Sequence, residues 1–255
     1  MQSLGRLHGI LIYAFLYLPM AVLILGSFNA SKYSIGWDGF TLDWYASLGK
    51  DIEILAAARN SLAVAALSAT LATVIGTLGA VGLQRYRFRG RKLLMGLLFV
   101  TLMSPDIVMA VSLLVLFLGL RLELGLFTLW LAHTSFCLPF VIFTVHARLQ
   151  GFDSALIEAA RDLGAGEGTA VRRILLPLAL PAIAAGWLMS FTLSLDDAVV
   201  SFFVTGPDFE VLPLRIYSMV RLGVKPEVNA LASLLFAVSL VFVVLAQWLL
   251  RKERE

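Results

Sequence analysis

Residues 153–181 read DSALIEAARDLGAGEGTAVRRILLPLALP, the longest polar interruption in the second half of a very apolar chain. The pattern predicts two short helices joined at glycines. Asp153 or Ser154 stands where an N-cap belongs, and Ala155, Leu156, Ala159, Ala160 and Leu163 recur at helical spacing on one face. Gly164 follows where a helix C-cap favours a residue at ease with positive φ. A second helical turn is expected from about Glu167 to Leu175, with Pro177 and Pro181 stopping it before the next apolar run. A Glu158–Arg161 pair on the first helix would add only ~0.3–0.5 kcal/mol, so helix energetics alone do not explain why this segment is there.

Outward from that stretch the chain is membrane material. Of its 255 residues 60% are hydrophobic, with a mean hydropathy of +0.89, which points to an all-α integral membrane protein. Six runs are long enough to cross ~30 Å of hydrocarbon at ~1.5 Å per residue: 9–28, 59–83, 93–119, 126–147, 180–205 and 228–250. The first is too long for the apolar core of a secretory signal, and a cut after Ala30 would put Phe28 where a small residue is wanted; it reads as an uncleaved anchor. Basic residues cluster in alternate breaks: Arg6; Arg85, Arg87, Arg89, Arg91 and Lys92; Arg148, Arg161, Arg172 and Arg173; Arg251, Lys252 and Arg254. That is 13 on one side against 7 on the other. The positive-inside rule therefore places both termini and the 148–179 loop in the cytoplasm. With no internal repeat, residues 1–255 read as a single transmembrane domain.

The net charge of +3 is explained by this topology and is no sign of a nucleic-acid partner. Cys137 is alone, so no intramolecular disulfide is expected, and His8, His133 and His146 are too scattered for a metal site. His133 and His146 read as packing or interfacial residues. No serine, histidine and acid stand together in the sequence to suggest a hydrolase. GAGEG at 164–168 lacks the lysine of a phosphate-binding loop, so the chain is not expected to be an enzyme or to hold a nucleotide. The second run repeats small residues four apart, Ala65 with Ala69 and Gly76 with Ala80, as helices packed inside a membrane bundle do. The outer loop 29–58 is rich in aromatic residues, including Trp37, Trp44 and Tyr45. These suit interfacial anchoring or, for Trp44, a cation–π contact at the outer mouth. Asn29-Ala30-Ser31 fits a glycosylation sequon, relevant only in a source that glycosylates.

Two polar groups interrupt the apolar runs. Ser104-Pro105-Asp106 breaks the third, with Ser104 able to cap a half-helix and Asp106 in its first turn. Ser194-Leu195-Asp196-Asp197 lies deep in the fifth. A carboxylate at such depth costs ~2.5 kcal/mol or more unless it faces a cavity or a partner, and this run has no Lys or Arg to pair with it. Adjacent helical residues point about 100° apart, so either the helix breaks here or the two acids have different surroundings. An acid-lined path implies a cation; a pair of helix-break caps is the duller alternative.

The opening stretch also carries a resemblance. Glu158-Ala159-Ala160, three residues, Gly164, nine residues, Ile174, one residue and Leu176-Pro177 resemble the EAA signature of ABC importer permeases. That resemblance implies a cytoplasmic coupling helix, with Glu158, Ala159, Ala160 and Gly164 docking on a separate ATPase. YRFRG, MSPDIVMAVSLLVLF, SFTLSLDDAVVSFFVTGP and LPLRIYSMVRLGVKPEVNALA narrow it to the spermidine/putrescine branch and its C-type subunit. The resemblance implies a second homologous permease, two ATPase subunits holding ATP and Mg, an external polyamine-binding protein, and a bacterial inner membrane whose lipid surrounds the spans. With the acids read above, the expected substrate pathway passes Asp196 and Asp197 with Ser194 and Asp106, and Trp44 at the outer mouth. The competing expectations are a permease for another small cation or a metal chelate, or a proton-coupled secondary transporter.

Overall fold

The computed structural model describes residues 2–31, 36–152, 155–221, 223 and 225–251; the capping expected of Asp153 or Ser154 lies outside them. Among the described residues twelve α-helices follow one another: α1 Gln2–Gly26, α2 Asp43–Leu48, α3 Ile52–Arg85, α4 Arg91–Met103, α5 Asp106–Gly119, α6 Leu126–Gln150, α7 Ala155–Asp162, α8 Glu167–Ala170, α9 Leu176–Asp196, α10 Val199–Val204, α11 Leu212–Arg221 and α12 Pro226–Arg251. Among the described residues the only extended pairing is a single bridge between Asn29 and Phe40. The expectation of an all-α membrane protein holds.

Among the described residues five helices are long and apolar enough to cross a membrane: His8–Gly26, Ile52–Arg85, Leu126–Gln150, Glu167–Asp196 and Pro226–Leu245. The third expected run, 93–119, is two helices, Arg91–Met103 and Asp106–Gly119, bent by 111°. The bend has a local cause. Pro105 has no N–H to donate and drives Ser104 extended (φ −70°, ψ 135°). Asp106 opens α5 as expected, but the residue in the cap position is Pro105, and no side chain caps the helix.

The prolines at 177 and 181 behave differently from expectation. Instead of stopping a helix they lie inside one, and the apolar helix runs unbroken from Glu167 to Asp196. A π-turn over Val171–Leu175 directly precedes Pro177. Its wider turn lets the chain pass Pro177 with a local adjustment in place of a break.

The described chain forms two compact units. One comprises Met1–Ala58 with Leu212–Leu240, the other Arg59–Val211 with Val241–Glu255. In the first, Leu48, Ile54, Ala57, Leu212, Ala230 and Leu231 form the core, with Trp44 and Tyr45 packed against it. Asn29 is only 5% exposed, its Oδ1 accepting the N–H groups of Ser31 (3.2 Å) and Asp38 (3.0 Å). The sequon asparagine is thus used to hold a turn and is not open to a glycan.

In the second unit α3, α6 and α9 meet on Val141. A Cβ added to Gly76 would lie 2.7 Å from Val141 Cγ1, and one added to Gly186 would lie 3.5 Å from it. Ala65, Ala69, Ala72 and Ala80 are fully buried. The small-residue face of α3 therefore does what its spacing predicts, letting helices approach at backbone distance.

Candidate functional site

The deep acids lie at a break. Asp197 leaves helical geometry (φ −70°, ψ 123°), ending α9, and α10 restarts at Val199. Its carboxylate explains why a break is tolerated here. Oδ1 accepts from the Val200 N–H at 3.2 Å and Oδ2 from the Ser201 N–H at 2.8 Å, satisfying two donors that the start of a helix leaves orphaned.

The missing counter-group comes from another helix. His133, on α6 and 1% exposed, places Nε2 3.3 Å from Asp197 Oδ2 and 3.1 Å from Ser201 Oγ. Its Nδ1 lies 2.6 Å from Ser194 Oγ. A carboxylate only accepts, so attraction to Asp197 requires the proton on Nε2. The Ser194 hydroxyl can then donate to Nδ1. Every polar group of this buried cluster has a partner, the condition under which a buried network is stable. The sequence reading of His133 as a packing residue was incomplete. An acid without Lys or Arg in its own run calls for a partner in another run, and an intramembrane histidine is the first place to look.

Ser194, His133 and Asp197 form a serine–histidine–acid constellation that sequence order conceals. It is no hydrolase. Ser194 is 4% exposed within a continuous helix, and the neighbouring N–H groups belong to the α9 ladder, leaving no donor pair to hold an oxyanion.

The remaining pathway candidates divide. Asp196 is exposed, on the last residue of α9. Asp106 is exposed in the first turn of α5, and α5 packs along α10. Trp44 belongs to the other unit, half-buried against its core, with Nε1 donating to the Asn29 carbonyl at 2.8 Å. The structure therefore joins Ser194 and Asp197 through His133, and Asp196 by chain adjacency.

The 155–175 segment is built for an outside surface. α7 has no buried residue; Glu158 and Ala159 are exposed, as are the apolar Leu156 (50%) and Leu163 (89%). Ile157 alone turns toward the core of its unit. The helix ends as the sequence predicts. Gly164 has φ +84°, its N–H donates to the Arg161 carbonyl at 2.8 Å, and the Ala165 N–H donates to the Ala160 carbonyl at 2.9 Å, the two bonds of a Schellman motif. Arg161 bonds Glu167 at 2.8 Å, and Arg85 from α3 reaches the same carboxylate at 3.1 Å. This ties α7 to the end of α3.

Residues 72–255 match the family described as binding-protein-dependent transport system inner membrane component. The chain belongs to that family. Among its relatives is the spermidine/putrescine transport system permease protein PotC of Escherichia coli (strain K12), 58% identical over 240 residues, 94% of this chain and 91% of the relative. The putrescine transport system permease protein PotI of the same strain is 41% identical over 251 residues, 95% of this chain and 89% of the relative. Among solved structures, a bacterial ABC transporter involved in the import of the acidic polysaccharide alginate superposes with a TM-score of 0.73, covering 98% of this chain and 96% of that one. At 17% identity that likeness speaks for the fold alone. As a member of this inner-membrane family the chain is a transport subunit, and the exposed α7 lies in the matched region.

Proposed function

We propose that this chain is one of two permease subunits of an ATP-driven importer for polyamines, spermidine or putrescine. The observation that carries the reading is the 58% identity to a spermidine/putrescine permease across 94% of the chain. The site's chemistry agrees with it. Polyamines are chains of ammonium groups separated by methylenes, and the α9–α10 break offers an exposed carboxylate, Asp196, inside an apolar run. Asp106 supplies a second exposed carboxylate on the helix packed along α10, while Ser194 and Asp197 form the wall behind. Trp44, in the other unit, is a separate candidate for a cation–π contact with the substrate. Site contacts are weak enough to release the cation onward, since a tight site retains its ligand.

The partners follow from this reading: a second homologous permease completes the path, an external binding protein delivers the polyamine, and two ATPase subunits with their ATP and Mg sit at the cytoplasmic face. Both termini face the cytoplasm, by the distribution of Lys and Arg. The ATPases grip α7 through Leu156, Leu163 and the Glu158–Gly164 surface, and their closure swings the spans between outward and inward openings.

Uptake of labelled spermidine by vesicles holding the assembled complex tests this. Uptake that requires internal ATP and the external binding protein is the expected result. Uptake driven by a proton gradient without ATP would replace the importer with a secondary transporter, and ATP-dependent uptake of a different cation in preference to polyamines would replace the substrate.

A further inference from the structure

Asp196 and Asp197 are adjacent acids, yet their surroundings differ sharply. Asp197 has both carboxylate oxygens engaged, by two backbone N–H groups and by the His133 ring. Asp196, one residue earlier, is exposed. The two are separated by the point at which the chain leaves the helix, so the direction in which Asp196 projects depends on how firmly that break is held. Thr128 and Cys137 also reach this segment from α6, at Val204 and Ser190, but the described side chain that bonds both sides of the break itself is His133. One nitrogen meets Ser194 on the last full turn of α9, and the other meets Asp197 and Ser201 on either side of the start of α10.

We infer that His133 is a positioning residue for transport. By bridging Ser194 to Asp197 and Ser201 it fixes the angle of the α9–α10 break, which leaves Asp197 a structural acid and presents Asp196 to the substrate's ammonium groups. This rests on the polyamine-pathway reading and divides the labour within it. A bridge from one aromatic ring is suited to the task. The imidazole holds its two nitrogens at fixed separation and, being buried at 1% exposure, has few alternative rotamers. A flexible side chain in its place would leave the break hinged and Asp196 free to sample non-productive directions.

The test is labelled-spermidine uptake by the complex in vesicles, normalised to assembled protein, for His133→Leu, His133→Gln, Asp196→Asn and the double variant His133→Leu/Asp196→Asn. Gln carries an amide nitrogen near the position of Nε2 and keeps the reach to Asp197; Leu removes both bonds. If His133 acts through Asp196, His133→Leu raises the KM for spermidine about tenfold, His133→Gln restores most of it, and the double variant is no worse than Asp196→Asn alone, because coupled sites are not additive. A His133→Leu complex with a lowered thermal midpoint but unchanged KM, or a double variant whose two effects multiply, overturns the inference and leaves the pathway reading standing. An Asp196→Asn variant with unchanged uptake overturns both. Should His133→Leu fail to assemble, His133→Gln against His133→Asn carries the same comparison, with Asn reaching Ser194 but not Asp197; equal KM values for the two overturn the inference.

Discussion

Substituting Gly206 by alanine should be among the most damaging single-methyl changes available in this chain. A Cβ at Gly206 would lie 2.1 Å from the Leu124 carbonyl oxygen, 2.8 Å from its carbon and 3.2 Å from Gly125 Cα. All three are backbone atoms, so no side chain can rotate out of the way. Relief requires the segment after α10 to lift from the turn before α6. That turn is held by Thr128, whose hydroxyl bonds Gly125 and also donates to the Val204 carbonyl at 2.9 Å, tying the end of α10 to the start of α6. Overpacking costs ~1–3 kcal/mol, and losing the buried Thr128–Val204 bond adds ~1–3 kcal/mol for the polar group left unpaired. At ~2–4 °C per kcal/mol for a domain of this size, the unfolding midpoint of the purified protein should fall by roughly 5 °C or more. Thermal unfolding followed by size-exclusion recovery measures it. Gly82→Ala, where an added Cβ meets nothing within 4 Å, is the control and should be neutral or slightly stabilising. A Gly206→Ala midpoint equal to that of the control would refute the close-approach argument.

Gly76→Ala should also destabilise, by ~1–3 kcal/mol, because Val141 is stiff at χ1 and cannot yield 2.7 Å of contact; the same unfolding assay reads it. Trp44→Phe removes the bond to the Asn29 carbonyl but keeps an aromatic ring. It should cost ~0.5–1.5 kcal/mol while leaving most spermidine uptake, and an abolished uptake would mean that the indole N–H meets the substrate. Leu163→Glu places a charge on the exposed apolar residue that follows α7 and should abolish co-purification of the ATPase with an otherwise intact permease. Gly164→Ala forces a side chain into left-handed geometry at φ +84° and should fray the end of α7 by ~1–2 kcal/mol, lowering uptake through weaker ATPase contact.

Much of this architecture is legible in the chain because its signals are local. Four of the apolar runs, the glycine ending α7 and the small face of α3 each depend on a few neighbouring residues, and each appears close to where the sequence implies. The failures are of two kinds. Pro105 breaks a run and Pro177 does not, although both interrupt apolar sequence. The difference is the π-turn that absorbs Pro177, a backbone adjustment with no residue-level mark. The second kind is distance in sequence. Ser194, Asp197 and Ser201 can be listed from one run, but His133 is 61 residues before Ser194 and nothing in either run names the other. Only the demand that a buried acid have a partner points toward it.

The central claim is that a cation path passes the α9–α10 break, and the most direct measurement is ATP-driven uptake of labelled spermidine by wild type and by Asp196→Asn, each normalised to assembled complex. The account predicts that spermidine uptake falls about tenfold in the variant, still measurable above background, although the complex assembles with its ATPase. Undiminished spermidine uptake by Asp196→Asn would contradict it and make the acids of this break purely structural.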